Sequence, residues 1–320
     1  MKLLMPVTLA AAMAATTLLA EPYTVTDGLG VEHTFDAPPE RVVAIYNDAY
    51  GQVATLGFVP SAVLANPEMI KDTETYLAEG PDIDWVGGDP WWEIDAELVA
   101  ANKPDLIIAW GQDHVDTLSS IAPVFAMDGL AGDDGRGAYN NLRAIAKVVG
   151  MEDEAEAQIA AFDARVAAYA ALVPDQPTIL KLSHTGEGSF AFASSGDPVC
   201  PLLDRIVTCQ WQDPTGEGGW GYDGTLEQAL AIDPDIIILN NWDDSLSSEE
   251  FMAMMEANPL YGELSAVKNN SILHDPDYHN PIFSSIAAGT VLVDTILPRA
   301  FPATFPNGAL TDAEVAAAVN

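Results

Sequence analysis

The chain has 320 residues, with 48 acidic side chains against 12 basic ones, a net charge of −36 and a pI near 4.1. Such a surface excludes nucleic acid, whose phosphates need a basic face, and disfavours anionic lipid surfaces. The length suits two domains with sizeable cores. The acidity reads as a means of solubility, useful in salty surroundings where self-repulsion is screened.

Residues 1–20 carry one positive charge, Lys2, then an apolar Ala/Leu/Met run and small residues before Glu21-Pro22. This predicts a cleaved export signal, cut near Ala20 or alternatively at Ala14; an uncleaved anchor is the competing reading, disfavoured by the short apolar core. No cysteine lies near either cut, so lipid anchoring is not expected. The only two cysteines are Cys200 and Cys209. Export favours a disulfide between them over two buried thiols, and their spacing is not that of a zinc motif.

Residues 23–35 alternate around Asp27-Gly28 and Gly30, a small hairpin. Residues 41–46 are a short apolar strand, after which Asn47-Asp48 are placed to cap a helix from Ala49 to Leu56, ended by Gly57. A second strand begins over Pro60–Leu64; later come strands at Leu106–Ala109 and Ala122–Met127 and a helix from Ala138 to Val149. Glu152–Leu172 is a long alanine-rich helical stretch without Gly or Pro, closed by Pro174 and Pro177. Beyond it follow a strand at Thr178–Leu182, a helix at Pro198–Val207 and a Gly/Trp-rich loop from Gln210 to Gly224. A capping box at Ser247–Glu250 opens a helix through Met255, followed by a strand at Ser271–His274 and a terminal helix over Pro281–Leu297.

Two stretches repeat. Asp95-Ala-Glu97 leads to Pro104-Asp105 and an apolar run ending at Trp110; Thr225-Leu-Glu227 leads to Pro234-Asp235 and a run ending at Asn240. Each is a capped helix, a proline break and a strand buried on both faces. Their even placement predicts an α/β chain of two Rossmann-like lobes with mainly parallel sheets, joined by one long α-helix. The boundaries are 1–20 for the signal, 21–151 for the first lobe, 152–173 for the connecting helix and 174–320 for the second lobe.

This order of segments resembles the class III periplasmic substrate-binding proteins of ABC importers. The residues carrying the likeness are Arg41-Val-Val-Ala-Ile45, Leu56-Gly-Phe-Val-Pro60, Lys103-Pro-Asp-Leu-Ile-Ile108, Asp233-Pro-Asp-Ile-Ile-Ile238, Asn258-Pro-Leu-Tyr261 and Ala266-Val-Lys-Asn269. The resemblance implies a periplasmic protein, a monomer without intrinsic cofactor, that captures a metal chelate between its lobes and hands it to a permease and its ATPase. It also implies that one glutamate per lobe docks on permease arginines, at Glu97 and Glu227. Favourable placement at a helix start would account for either glutamate alone.

Residues just beyond strand ends then line the cleft. On the first lobe these are Tyr46, Asn47, Tyr50, Trp110, Gln112 and His114, with Trp91 and Trp92 in the loop before Glu97 and Arg136 able to reach in from the glycine-rich loop Gly132–Gly137. On the second they are His184, Trp211, Trp220, Tyr222, Asn241, Trp242, Tyr278 and His279. Flat aromatic side chains with polar tips suit a bulky, partly apolar ligand. Arginine is scarce, which points to a near-neutral Fe(III)–siderophore of the hydroxamate kind rather than a strongly anionic chelate. Haem through Tyr46, Tyr50 or a histidine, and cobalamin, remain alternatives. A bare metal held by His114, His184, His274 or His279 with Asp113, Asp275 or Asp277 is a further one. The remaining class, an exported enzyme, lacks a GxSxG, an HExxH, a phosphate-cradling glycine loop or a cysteine–histidine pair, so no catalytic residue is assigned.

Overall fold

The structure is a computed structural model that describes residues 21–65, 83–90, 92–127, 136–173, 175–186, 189–194, 196–197, 199–210, 221–241, 245–274 and 285–319. The leader over residues 1–20 lies outside them. Strands β1 (Tyr23–Thr26) and β2 (Glu32–Phe35) form the expected antiparallel hairpin. Its turn is organised by Asp27, whose Oδ1 accepts from the amides of Leu29 and Val31 and whose Oδ2 lies 2.9 Å from His33 Nε2.

The first lobe is a five-stranded sheet in the order β5-β4-β3-β6-β7, with every pairing parallel. Its strands are β3 (Val42–Ile45), β4 (Ala62–Leu64), β5 (Asp84–Trp85), β6 (Leu106–Trp110) and β7 (Val124–Met127). Parallel pairs need crossovers, supplied in part by helices α1 (Tyr46–Thr55), α2 (Ala96–Ala101) and α3 (Gln112–Leu118). Strand order reverses between β3 and β6, which makes their carboxyl ends the crevice of this sheet.

One local expectation fails here. Asn47 and Asp48 do not cap α1; the helix starts at Tyr46 directly after β3, its N-cap is Ile45, and no side chain caps it. The chain instead turns through a left-handed conformation at Tyr46 (φ +66°), which leaves Asn47 and Asp48 inside the helix and buried.

Helix α4 (Gly137–Val149) ends at Gly150 in the left-handed conformation that favours glycine. Helix α5 (Glu152–Leu172) follows, 21 residues long and so about 31 Å at 1.5 Å per residue. Ala155, Ile159, Phe162, Val166 and Tyr169 form its buried stripe, spaced by alternate fours and threes. This rod joins the two sheets.

The second lobe has a six-stranded sheet: β8 (Thr178–Gly186), β9 (Ser189–Ala193), β10 (Thr208–Cys209), β11 (Gly221–Gly224), β12 (Ile236–Asn241) and β13 (Ile272–His274). Strands β10, β8, β12 and β13 run parallel, while β9 turns back against β8 and pairs with β11 on its other side. The strand expected to stop at Leu182 therefore runs on to Gly186, and the end of the loop over Gln210–Gly224 is strand β11. Helices α6 (Val199–Leu203), α7 (Leu226–Ile232), α8 (Ser248–Ala257), α9 (Ser265–Lys268), α10 (Ile286–Ala300) and α11 (Asp312–Ala318) complete the chain. The described part of the terminal helix starts at Ile286 and runs past Leu297 to Ala300; residues 281–284 are outside the description.

The two repeats occupy equivalent places, β6 beside β3 and β12 beside β8. Their aspartates do the same work. Asp105 accepts from the amides of Glu40 and Arg41 at the start of β3, and Asp235 accepts from the amide and hydroxyl of Thr178 at the start of β8. Each Pro-Asp break thus ends a helix and fastens the neighbouring strand. One hydrophobic cluster runs from Val42, Leu106 and Ile108 through Phe162 and Val166 to Ile179, Ile236 and Leu273, so the rod is cored on both lobes. Cys200 and Cys209 are joined in a disulfide that ties α6 to β10. A loop so short contributes about 2–3 kcal/mol in the chain-entropy account.

The helix caps carry measurable stability. Thr225 accepts from the Gln228 amide, and Gln228 Oε1 accepts from the Thr225 amide at 2.8 Å, a complete capping box. Thr225→Ala is expected to lower unfolding free energy by about 1 kcal/mol, read as a lower urea midpoint with unchanged slope.

Candidate ligand cleft

Tyr46 is the first residue beyond β3. Few residues with a side chain adopt its backbone conformation, and such strain collects where function needs a fixed direction. Its hydroxyl donates to the Trp92 carbonyl at 3.1 Å, and its ring meets the His114 ring edge-on at 5.2 Å and 87°. Burial pushes the phenol up from its ordinary value, so it stays a neutral donor. His114 reaches this position because Gly111 (φ +81°) turns the chain out of β6 into the first turn of α3. Trp92 is 46% exposed, a large flat surface at the edge of this corner. The structure thus brings Tyr46, Trp92 and His114 together at the crevice of the first sheet.

Other expected lining residues lie deeper. Asn47 is buried, and Tyr50 is 0% exposed within the core around α1, where burial raises its pKa to about 12. Arg136 lies just before α4 with its guanidinium 5.4 Å from the centroid of the Tyr139 ring. That ring is fixed by a hydrogen bond from its hydroxyl to Asp163.

On the second lobe, His184 sits within β8 rather than beyond it and is 0% exposed. Its Nδ1 lies 3.1 Å from Asn241 Oδ1 at the end of β12, while Asn241 Nδ2 donates to the Leu246 carbonyl. The ring stacks on Phe251 at 5.3 Å and also touches Phe190. His184 therefore steadies the end of β12 from inside the core. Tyr222 is half-buried on β11, packed against Phe192. Trp91, Trp211, Trp220, Trp242, Tyr278 and His279 lie outside the described residues, as does the side chain of Trp110.

Among the described residues, no three His, Cys, Asp or Glu side chains converge as a metal site. His184 and His274 both pack against the Phe251 ring. A polar hollow of about 540 Å³ lies at the carboxyl end of β8; Thr185, Gly186, Ser189, Asp223 and Thr225 are among its lining residues. The only sequence cue to its hairpin was the Gly-Glu-Gly run at 186–188.

Glu97 and Glu227 are exposed in the first turns of α2 and α7. Asp95 caps α2 by accepting from the Glu97 and Leu98 amides. The Glu227 carboxyl is held below its ordinary value by its own backbone amide, then by the Thr225 hydroxyl. In a parallel α/β sheet the crossover helix runs against its strands, so both helices begin at the crevice end. Each carboxylate thus stands at the crevice end of its own lobe's sheet.

Two α/β lobes on a single long helix, with an aromatic corner at the strand switch point, define the class III type of substrate-binding protein. Residues 42–279 match the periplasmic binding protein family, and the chain belongs to it. It is 26% identical over 244 residues to the iron(3+)-hydroxamate-binding protein FhuD of Bacillus subtilis, covering 73% of each chain. The periplasmic catecholate-siderophore binding protein VctP of Vibrio cholerae superposes with a TM-score of 0.67 at 21% identity, over 87% of this chain and 99% of that one. The iron uptake ABC transporter substrate-binding protein PiuA of Streptococcus pneumoniae gives 0.67 at 22% identity, over 85% and 96%. The protein is thus a substrate-binding component of an ABC importer. No described helix is long and apolar enough to cross a membrane.

Proposed function

We propose that this protein, exported by cleavage of residues 1–20, works in the periplasm as a monomer that binds an Fe(III)–siderophore of near-neutral, hydroxamate-like character. The chelate sits between a first lobe of residues 21–151 and a second of 174–320, and the loaded protein delivers it to a permease and its ATPase. It performs no bond chemistry and needs no resident cofactor.

The observation that carries this proposal is the corner of Tyr46, Trp92 and His114, where a neutral phenol hydroxyl and an imidazole meet at the crevice of the first sheet. Most arginines are committed elsewhere: Arg41 to the carbonyls of Asn102 and Lys103, Arg143 to Glu156, Arg165 to Asp294 and Arg205 to Asp163. A chain of net charge −36 also repels a strongly anionic catecholate chelate and spares a neutral or cationic hydroxamate one. The hydroxamate-binding relative agrees with this, whereas the catecholate binder shares only the fold. One observation favours haem as a second reading: Tyr46 and His114, both haem-ligand types, touch each other.

Titrating the tryptophan fluorescence of the purified protein with ferrioxamine, a ferric catecholate, ferric citrate, haem and cobalamin separates these readings. Saturable quenching by ferrioxamine alone is the expected result. Saturation by haem alone, with a shifted Soret band, would establish the second reading. Response to a catecholate in preference to ferrioxamine would overturn the charge argument.

A further inference from the structure

The chain does not stop at the helix that completes the second lobe. Beyond α10 it crosses the connecting rod again, seating Phe305 (4% exposed) with its ring 5.2 Å from that of Tyr169, and then forms α11 against α5. One arginine is the centre of this crossing. Arg165 on α5 donates through Nη1 to both oxygens of Asp294 on α10 (2.9 and 3.0 Å) and to the Leu310 carbonyl (2.9 Å). Its Nη2 donates to Asp312 at 2.6 Å. One turn along α5, the Tyr169 hydroxyl donates to Asp294 (2.8 Å) and accepts from the Leu310 amide (3.1 Å).

The guanidinium is largely withdrawn from water, 13% exposed, and burial pushes the Asp294 carboxyl up against the pull of Tyr169 and Arg165. Charged hydrogen bonds in such a place are strong and directional. Their partners belong to three elements: the rod α5, the helix α10 and the tail. Helix α10 in turn packs on α1 of the first lobe and α6 of the second. Rotating the lobes about the rod therefore requires α10 to slide on α5, which breaks the fork between Arg165 and Asp294.

We propose that the C-terminal segment, residues 301–319, is a brace that clamps α5 to α10 through Arg165 and limits how far the two lobes swing. A rod alone bends; the tail makes a truss of it. The proposal goes beyond the ligand assignment and holds whatever the cargo, so it is tested without any ligand.

Spin labels placed at Glu32→Cys and Glu249→Cys, both exposed and on opposite lobes, report the lobe separation; the two native cysteines are tied in their disulfide. The intact chain should give a narrow distance distribution. Arg165→Met, and a chain ending at residue 310, should give a broader one with a tail to longer and shorter separations. Melting temperature falls whether the tail is a brace or mere packing, so the width decides. An unchanged width in both variants overturns the proposal even if both melt earlier. Should circular dichroism show either variant unfolded, Asp312→Ala, which removes the acceptor of Arg165 Nη2 at the exposed end, takes its place under the same criterion.

Discussion

Lys181→Met is expected to cost about 3–5 kcal/mol, a large part of the 5–15 kcal/mol that typically separates folded from unfolded domains. Lys181 lies in the middle of β8 and donates to Asp197 at 2.5 Å, with both side chains only 4% and 3% exposed. Asp197 also accepts from the Val199 amide at the start of α6, the helix that carries Cys200 of the disulfide. Removing the ammonium leaves a buried carboxylate with one amide for company, and the desolvation of that charge is no longer offset. Replacing both partners, Lys181→Met with Asp197→Leu, should recover most of the loss, because the apolar pair has no charge to dehydrate. Urea unfolding at neutral pH reads both. A single-variant cost below about 1 kcal/mol, the range of exposed pairs, would mean that the pair is open to water.

Lys181 also marks where a one-dimensional pattern loses information. The run Thr178–Leu182 reads as an ordinary buried strand, and its one charge could have been a solvated edge; only the fold delivers Asp197, 16 residues on, to the same spot. Elements specified by local chemistry were legible: Asp95 and Thr225 cap their helices, Gly150 ends α4, and the apolar runs before Trp110 and Asn240 are central strands. The duplicated Pro-Asp unit revealed two lobes because it is repeated chemistry, a helix stop joined to a strand clasp. What failed was set by tertiary geometry. Asn47-Asp48 have the right composition for a cap, yet the chain enters α1 with no linker and takes up the turn at Tyr46 instead. His184 follows Leu182 in the sequence and so reads as a residue just beyond a strand end; in β8 it is shielded by Phe190 and Phe251 and paired with Asn241. Tyr46 and His114 were legible as residues beyond strand ends and Trp92 as a loop residue before Glu97, but the contact of Tyr46 with His114 depends on the parallel pairing of β3 and β6.

Reversing Glu97 and Glu227 together to arginine is expected to abolish uptake in cells while leaving chelate affinity unchanged. Both carboxylates stand exposed at helix starts, and among the described residues neither is engaged in an ion pair within the chain. A positive charge in a first turn opposes the helix dipole, at about 0.3–1 kcal/mol per site, too little to unfold the lobes. What the exchange removes is the pair of negative points at the crevice end, set one on each lobe by the repeated unit. A basic permease rim would use them together, because two separated contacts fix orientation as well as attraction, and reversal turns each into repulsion. Each single reversal should therefore leave partial uptake, and the double reversal none. Uptake at the unaltered rate by the double variant would show that these glutamates do no more than complement their helix dipoles. Loss of chelate binding in the same variant would instead place them in the cleft.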